Sequence, residues 1–178
     1  LQYFRDKKGK VRNVANVAPK DHGPTWVSGY VSLKDRRGDS RLVGCYTKIK
    51  PPMTAYRTGL CVWNDKTENF ESTRVLWDQA DGAERPALRP EGHPVFWTDG
   101  EGKQWLLFGN PLPTIRMPAT FEAWQDPGTW EALDPRASLD SPDGEKIKLH
   151  SGSVAWNPFR KKWVTVFVQI QGEPTALD

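Results

Sequence analysis

The chain has 178 residues, 37% of them hydrophobic and 26% charged, with nine tryptophans and a net charge of +3. Such a composition excludes a disordered chain, and no apolar run approaches the roughly 20 residues that cross a bilayer as a helix. The basic residues are scattered, the densest groups being "KDRR" (34–37) and "RKK" (160–162) between apolar runs, which suits solvated hairpin tips and leaves no continuous basic face for nucleic acid.

In chain order, "LQYFRDKKGKVRNVANV" (1–17) reads as a hairpin around "KKGK". It shows neither an initiator Met nor the plan of a signal peptide, and the chain reads as a fragment of a longer protein. Next comes "SGYVSLKDRRGDSRLVGCY" (28–46), two apolar runs around a Gly- and Asp-bearing turn. A third run, "TGLCVWND" (58–65), follows the loop "KPPMTAY", and "TRVLWD" (73–78) makes a fourth strand. Cys45 and Cys61 lie on facing runs and fit neither a zinc site nor a disulfide-rich scaffold; two small buried side chains suit them better than the alternative, a cross-strand disulfide.

The plan then recurs. "EGHPVFWTDGEGKQWLLFG" (91–109) and "SGSVAWNPFRKKWVTVFVQ" (151–169) repeat the hairpin, with "TIRMPATF" (114–121) and "TALD" (175–178) as counterparts of the third strand. Gly29, Gly92 and Gly152 anchor the copies at spacings of 63 and 60 residues. Four residues on stand Leu33, Phe96 and Trp156, and the second strands open with Leu42, Trp105 and Trp163. The fourth element of the second copy, "DPGTWEALD" (126–134), starts like a helical turn where the repeat calls for a strand. Loops such as "ADGAERPALRP" (80–90) and "DPRASLDSPDGEK" (134–146) join the units.

Units of several short antiparallel strands repeated at a fixed period predict an all-β fold of propeller type. The expected organisation is a hairpin from a preceding unit, or an N-terminal region, over 1–20, repeats over 21–85 and 86–146, and the start of a third over 147–178. That amounts to about two and a half blades of a partial β-propeller.

In a propeller the first strand of each blade lines the central channel, and ligands bind at its mouth. The polar residues at those strand starts are Asp21 and His22, with Trp26 just beyond; Glu91 and His93; and His150 and Ser151. All three histidines of the chain fall there. They suit hydrogen bonds to a polar ligand, acid–base chemistry, metal ligation, or simple satisfaction of turn backbones. No HxH or HExxH spacing selects among these, and no cofactor is identified. Asn110, at the end of a second strand, and Arg116, in a third, are further ligand-binding candidates, and Arg57, at the start of a third strand, is a polar candidate beside them. Trp97, Trp105, Trp156 and Trp163 recur with the strands and read as core, whereas Trp26, Tyr56 and Trp124 are freer to line a pocket.

"DHGPTWVSGYVSLKD", "RTGLCVWNDKTENFE", "PEGHPVFW" and "LHSGSVAWNPFRKKWV" resemble bacterial proteins, common in Planctomycetes, that look like five-bladed β-propeller glycoside hydrolases. The resemblance spans nearly the whole chain. It implies a carbohydrate ligand, an extracytoplasmic location, and catalytic carboxylates on first strands, here sought at Asp21 and Glu91. The third copy has His150 and Ser151, and no carboxylate, at the start of its first strand. The alternatives are therefore a propeller that binds glycan or protein without cleaving it, and a metal-dependent enzyme built on axial histidines.

Overall fold

A computed structural model of the chain describes residues 3–15, 17, 23–134, 140 and 143–170. Asp21, His22 and the "TALD" segment lie outside the described residues. The fold is all-β, three antiparallel sheets with almost no helix, and no described helix is long and apolar enough to cross a membrane. The chain divides into two units, 1–87 and 88–178.

The first unit is a four-stranded meander of long strands: β1 (Thr25–Lys34), β2 (Ser40–Lys50), β3 (Thr54–Asn64) and β4 (Asn69–Asp78), in that spatial order. Period-two alternation sends the side chains of each strand to opposite faces. Val31, Leu33, Val43, Cys45 and Leu60 are buried, as are Tyr46, Cys61 and Phe70. The latter three cluster with Val17. The N-terminal segment turns between Arg5 and Val11 and belongs to this unit: Phe4 packs on Trp63, and the Phe70 N–H donates to the Val14 carbonyl. It covers a face of the first sheet.

The second unit begins with a meander of short strands: β5 (His93–Thr98), β6 (Gln104–Gly109), β7 (Pro113–Pro118) and a two-residue β8 (Glu131–Ala132). Between β7 and β8 lie a helix, α1 (Phe121–Gln125), capped by the Thr120 hydroxyl, and a single 3-10 turn at Pro127–Thr129. "DPGTWEALD" thus holds both structures its sequence suggests, with Asp126 capping the turn through the Gly128 N–H before a minimal strand follows. Residues 120–121, expected to extend the third strand, instead start α1. Leu106, Phe108, Ile115, Met117 and Trp124 are fully buried in this unit. The hairpin of β9 (Leu149–Asn157) and β10 (Lys162–Gln169) completes it.

Three turns share one construction. In "DKKG", "DRRG" and "DGEG", the first Asp (Asp6, Asp35, Asp99) accepts two backbone N–H bonds on its Oδ1. The closing glycine (Gly9, Gly38, Gly102) takes a left-handed φ of 76° to 86° that other residues avoid. The β9–β10 turn uses Asn157, whose Oδ1 accepts from the Arg160 N–H, and is shorter.

Pairing corrects one feature of the repeat. Leu42, Trp105 and Trp163 stand opposite Ser32, Trp97 and Trp156 respectively. Measured against the first-strand anchors Leu33, Phe96 and Trp156, they fall one residue before, one after, and level. Because a slip of one residue reverses the face, the three second-strand residues are not equivalent. Nor are the glycines: Gly29 (φ 66°) sits in a bulge of β1 and Gly92 (φ 86°) precedes β5, while Gly152 lies inside β9 without a left-handed φ.

Candidate functional site

The second unit gathers five of the expected residues at one end. β5 runs beside β9. His93, the first residue of β5, is opposite Gly109; Asn110 follows, and its Oδ1 accepts the Gly152 N–H of β9 at 2.8 Å. His150 and Ser151 immediately precede that glycine, with His150 Nδ1 3.1 Å from Ser151 Oγ. Glycines let each hairpin close tightly here: a Cβ on Gly92 would meet the Gly109 carbonyl and Asn110, and one on Gly152 would meet the Val166 carbonyl and Phe167 of β10. The starts of two first strands are thereby joined through one side-chain amide.

Glu91 lies two residues before His93 and accepts from the guanidinium of Arg89. This pair orients the carboxylate at the edge of the cluster. The His93 side chain is exposed. Among the described residues, no three of His, Cys, Asp and Glu gather to hold a metal ion.

Other expected residues lie elsewhere. Arg116 stands opposite Leu107 in β7, two residues along from the His93–Gly109 row and away from the cluster. Its Nε and Nη2 both donate to Glu131 Oε2, at 2.8 and 2.7 Å, and its guanidinium stacks 4.3 Å from the Trp105 ring centre. Trp26 is 51% exposed on β1, opposite Thr47, in the first unit. Asp21 and His22 lie outside the described residues, so the expected convergence of three imidazoles reduces here to His93 and His150. Trp124, expected at a pocket, is completely buried on α1. Of the four tryptophans expected in the core, only Trp105 is buried, whereas Trp156 and Trp163 are about 40% and 39% exposed.

Of a polar end on the first sheet, sequence reasoning named Arg57 but missed Lys48 and Arg85. Lys48 is buried, and its Nζ donates to the Gly23 carbonyl at 3.2 Å and Thr25 Oγ1 at 3.0 Å. Arg85 crosses β2 and β3 to donate to Thr47 Oγ1 and the buried Thr58 Oγ1, both at 3.2 Å. Arg57 pairs with Asp78 at 2.6 Å. The Asp78 carboxyl is held below its ordinary range first by the Ala80 N–H and then by Arg57. One signal for Lys48 was available: period two places it on the same face as buried Tyr46. Arg85, in a stretch that reads only as loop, carried none.

Sequence reasoning also missed a cleft within the second unit, between the Trp97 face of the β5–β8 sheet and the β9–β10 hairpin. It encloses about 400 Å³ and is walled by Trp97, Leu107, Val154 and Trp163. Compared with known proteins, the chain matches no family, no curated protein and no solved structure.

Proposed function

We propose that the two meanders and the hairpin are successive blades of a partial five-bladed β-propeller that binds carbohydrate at its channel mouth, in the manner of a glycoside hydrolase. The observation that carries this reading is the Asn110–Gly152 link. It sets the starts of two consecutive first strands side by side and brings Glu91, His93, Asn110, His150 and Ser151 to one end. A rim of one carboxylate, two imidazoles, an amide and a hydroxyl offers the mixed donors and acceptors that sugar hydroxyls need.

The packing of faces supports the blade reading. Phe96 and Trp97 project to opposite faces of the β5–β8 sheet. The hairpin turns its Trp156–Trp163 face, the counterpart of the Phe96 face, towards Trp97, whose ring centre lies 6.5 Å from that of Trp163. Unlike faces meeting is the arrangement expected when sheets stack around an axis. In this reading Glu91 is the catalytic carboxylate of the second blade, Asp21 is its counterpart in the first, and the protein acts outside the cytoplasm.

A screen of glycans for binding and of aryl glycosides for turnover tests the reading, using the wild type, Glu91→Gln and His93→Ala. Turnover abolished by Glu91→Gln, with glycan affinity weakened by His93→Ala, is the expected result. Wild-type turnover that neither change reduces would remove both residues from the site. Glycan binding without turnover, lost in His93→Ala, would identify the non-catalytic form of the propeller.

A further inference from the structure

We infer that the cleft between the β5–β8 sheet and the β9–β10 hairpin is a second carbohydrate site, one that takes a single neutral sugar ring. Its volume of about 400 Å³ falls within the 300–1,000 Å³ typical of small-molecule sites. Trp97 and Trp163, inclined at 55° to each other, supply aromatic surface beside Leu107 and Val154. Such surface suits the C–H face of a pyranose, which is apolar although its edge is polar. The polar groups on the walls are Arg116, Asp134 and Thr165.

The charges decide the ligand class. Glu131 offsets the charge of Arg116 but occupies only its Nε and Nη2, leaving Nη1 as a donor among the described residues. The stack on Trp105 and the Glu131 pair fix the guanidinium plane in advance, which lowers the ordering cost of using that donor. A net anionic ligand would meet a guanidinium whose charge Glu131 already offsets. A neutral polyol instead accepts from Arg116 Nη1 and exchanges hydrogen bonds with Thr165 without bringing charge into a partly apolar space.

The inference shares its ligand class with the proposed function but not its site, and one experiment separates the two. Indole N–H and backbone amide signals of the whole chain are followed by NMR during titration with cellobiose, xylobiose, mannobiose and arabinobiose, with digalacturonate as an anionic probe. The expected result is saturable shifts of the Trp97 and Trp163 indoles with at least one neutral disaccharide, and at least tenfold weaker binding of digalacturonate. Thr165→Trp, which fills the cleft, should abolish these shifts, and Glu91→Gln should leave them intact. Trp163→Phe, which keeps an aromatic surface, provides a milder second variant and should weaken binding a few-fold. Shifts confined to signals around His93 and His150 would overturn the cleft site and leave the mouth site standing. Shifts of Trp97 and Trp163 that persist in Thr165→Trp would also overturn it, and no response to any neutral sugar would overturn both.

Discussion

The two meanders solve the same packing problem with different resources. Strands of the first sheet run to 10 or 11 residues, whereas β5, β6 and β7 have six each and β8 only two. The long sheet covers its Tyr46–Phe70 face with the preceding segment of chain. In the short unit the chain breaks off after β7 into α1 and a 3-10 turn, which bury Trp124 and carry the nearly buried Trp130. Their polar ends differ as well. Around the first sheet, Lys48, Arg85, Arg57 and Asp78 are bonded to main chain, threonines or one another, which suits holding strands together. At the end of β5 and β9, His93 and His150 are exposed, which suits contact with a ligand. Burial of polar groups ties strands together in one place, and exposure beside a shared strand end leaves them open to solvent in the other.

The comparison can be broken most decisively in the short sheet, where fewer residues carry the core. Phe108→Ala should cost about 3–5 kcal/mol, and amide signals of β5–β8 should be lost before those of β1–β4 on heating. Equal loss in both sheets would contradict the view that each holds its own core. Two glycines at the same φ sharpen the point. Gly92→Ala adds a Cβ against the Gly109 carbonyl, whereas Gly38→Ala meets nothing within 4 Å. Both should lose about 1–2 kcal/mol to left-handed strain, and only Gly92→Ala should lose about 1–3 kcal/mol more from overpacking. Matching denaturation midpoints for the pair would show that β5 does not approach β6 as closely as described.

Asn110→Ala removes the acceptor of the Gly152 N–H and should cost about 1 kcal/mol, with Asn110→Asp largely restoring it. Glycan affinity should follow the same order if the link sets the site. Acid should have the smallest effect. Asp99 is held below its usual range chiefly by the Trp105 indole N–H, as Asp78 is by the Ala80 N–H. A lowered carboxylate stabilises the fold fully above its unfolded pKa, near 4, and that contribution fades as pH falls through the lower folded value. Stability should therefore drop below about pH 4. Asp99→Asn should flatten the drop in the short sheet and Asp78→Asn in the long one, followed by amide exchange in each.

The all-β class, the hairpins and the repeating turns were legible because alternation and Asp-x-x-Gly chemistry are local. The expectation that Cys45 and Cys61 are two buried thiols also fits. Cys45 is opposite Leu60 and Cys61 opposite Gly44, so the thiols point to opposite faces, and burial pushes the Cys61 thiol up. Register was not legible, because Leu42, Trp105 and Trp163 look alike in a string and differ only in which residue they face. Burial of the aromatics was illegible for the same reason: Trp124 and Trp163 exchanged their expected places, one to the core and the other to a cleft wall. Glu91, His93, His150 and Ser151 could be proposed from strand starts, and Asn110 from a strand end. What joins them, the Asn110 side chain reaching Gly152 from 42 residues away, is a tertiary contact that periodicity does not encode.

The most direct measurement is the dipolar interaction between spin labels placed on His93→Cys and His150→Cys, in a chain with Cys45→Ala and Cys61→Ala. Strong broadening beyond the sum of the singly labelled spectra is the predicted result, as for labels on neighbouring sheets about 10 Å apart. A doubly labelled spectrum identical to that sum would mean that the two strand starts do not share an end, and the site assembled from them would not exist.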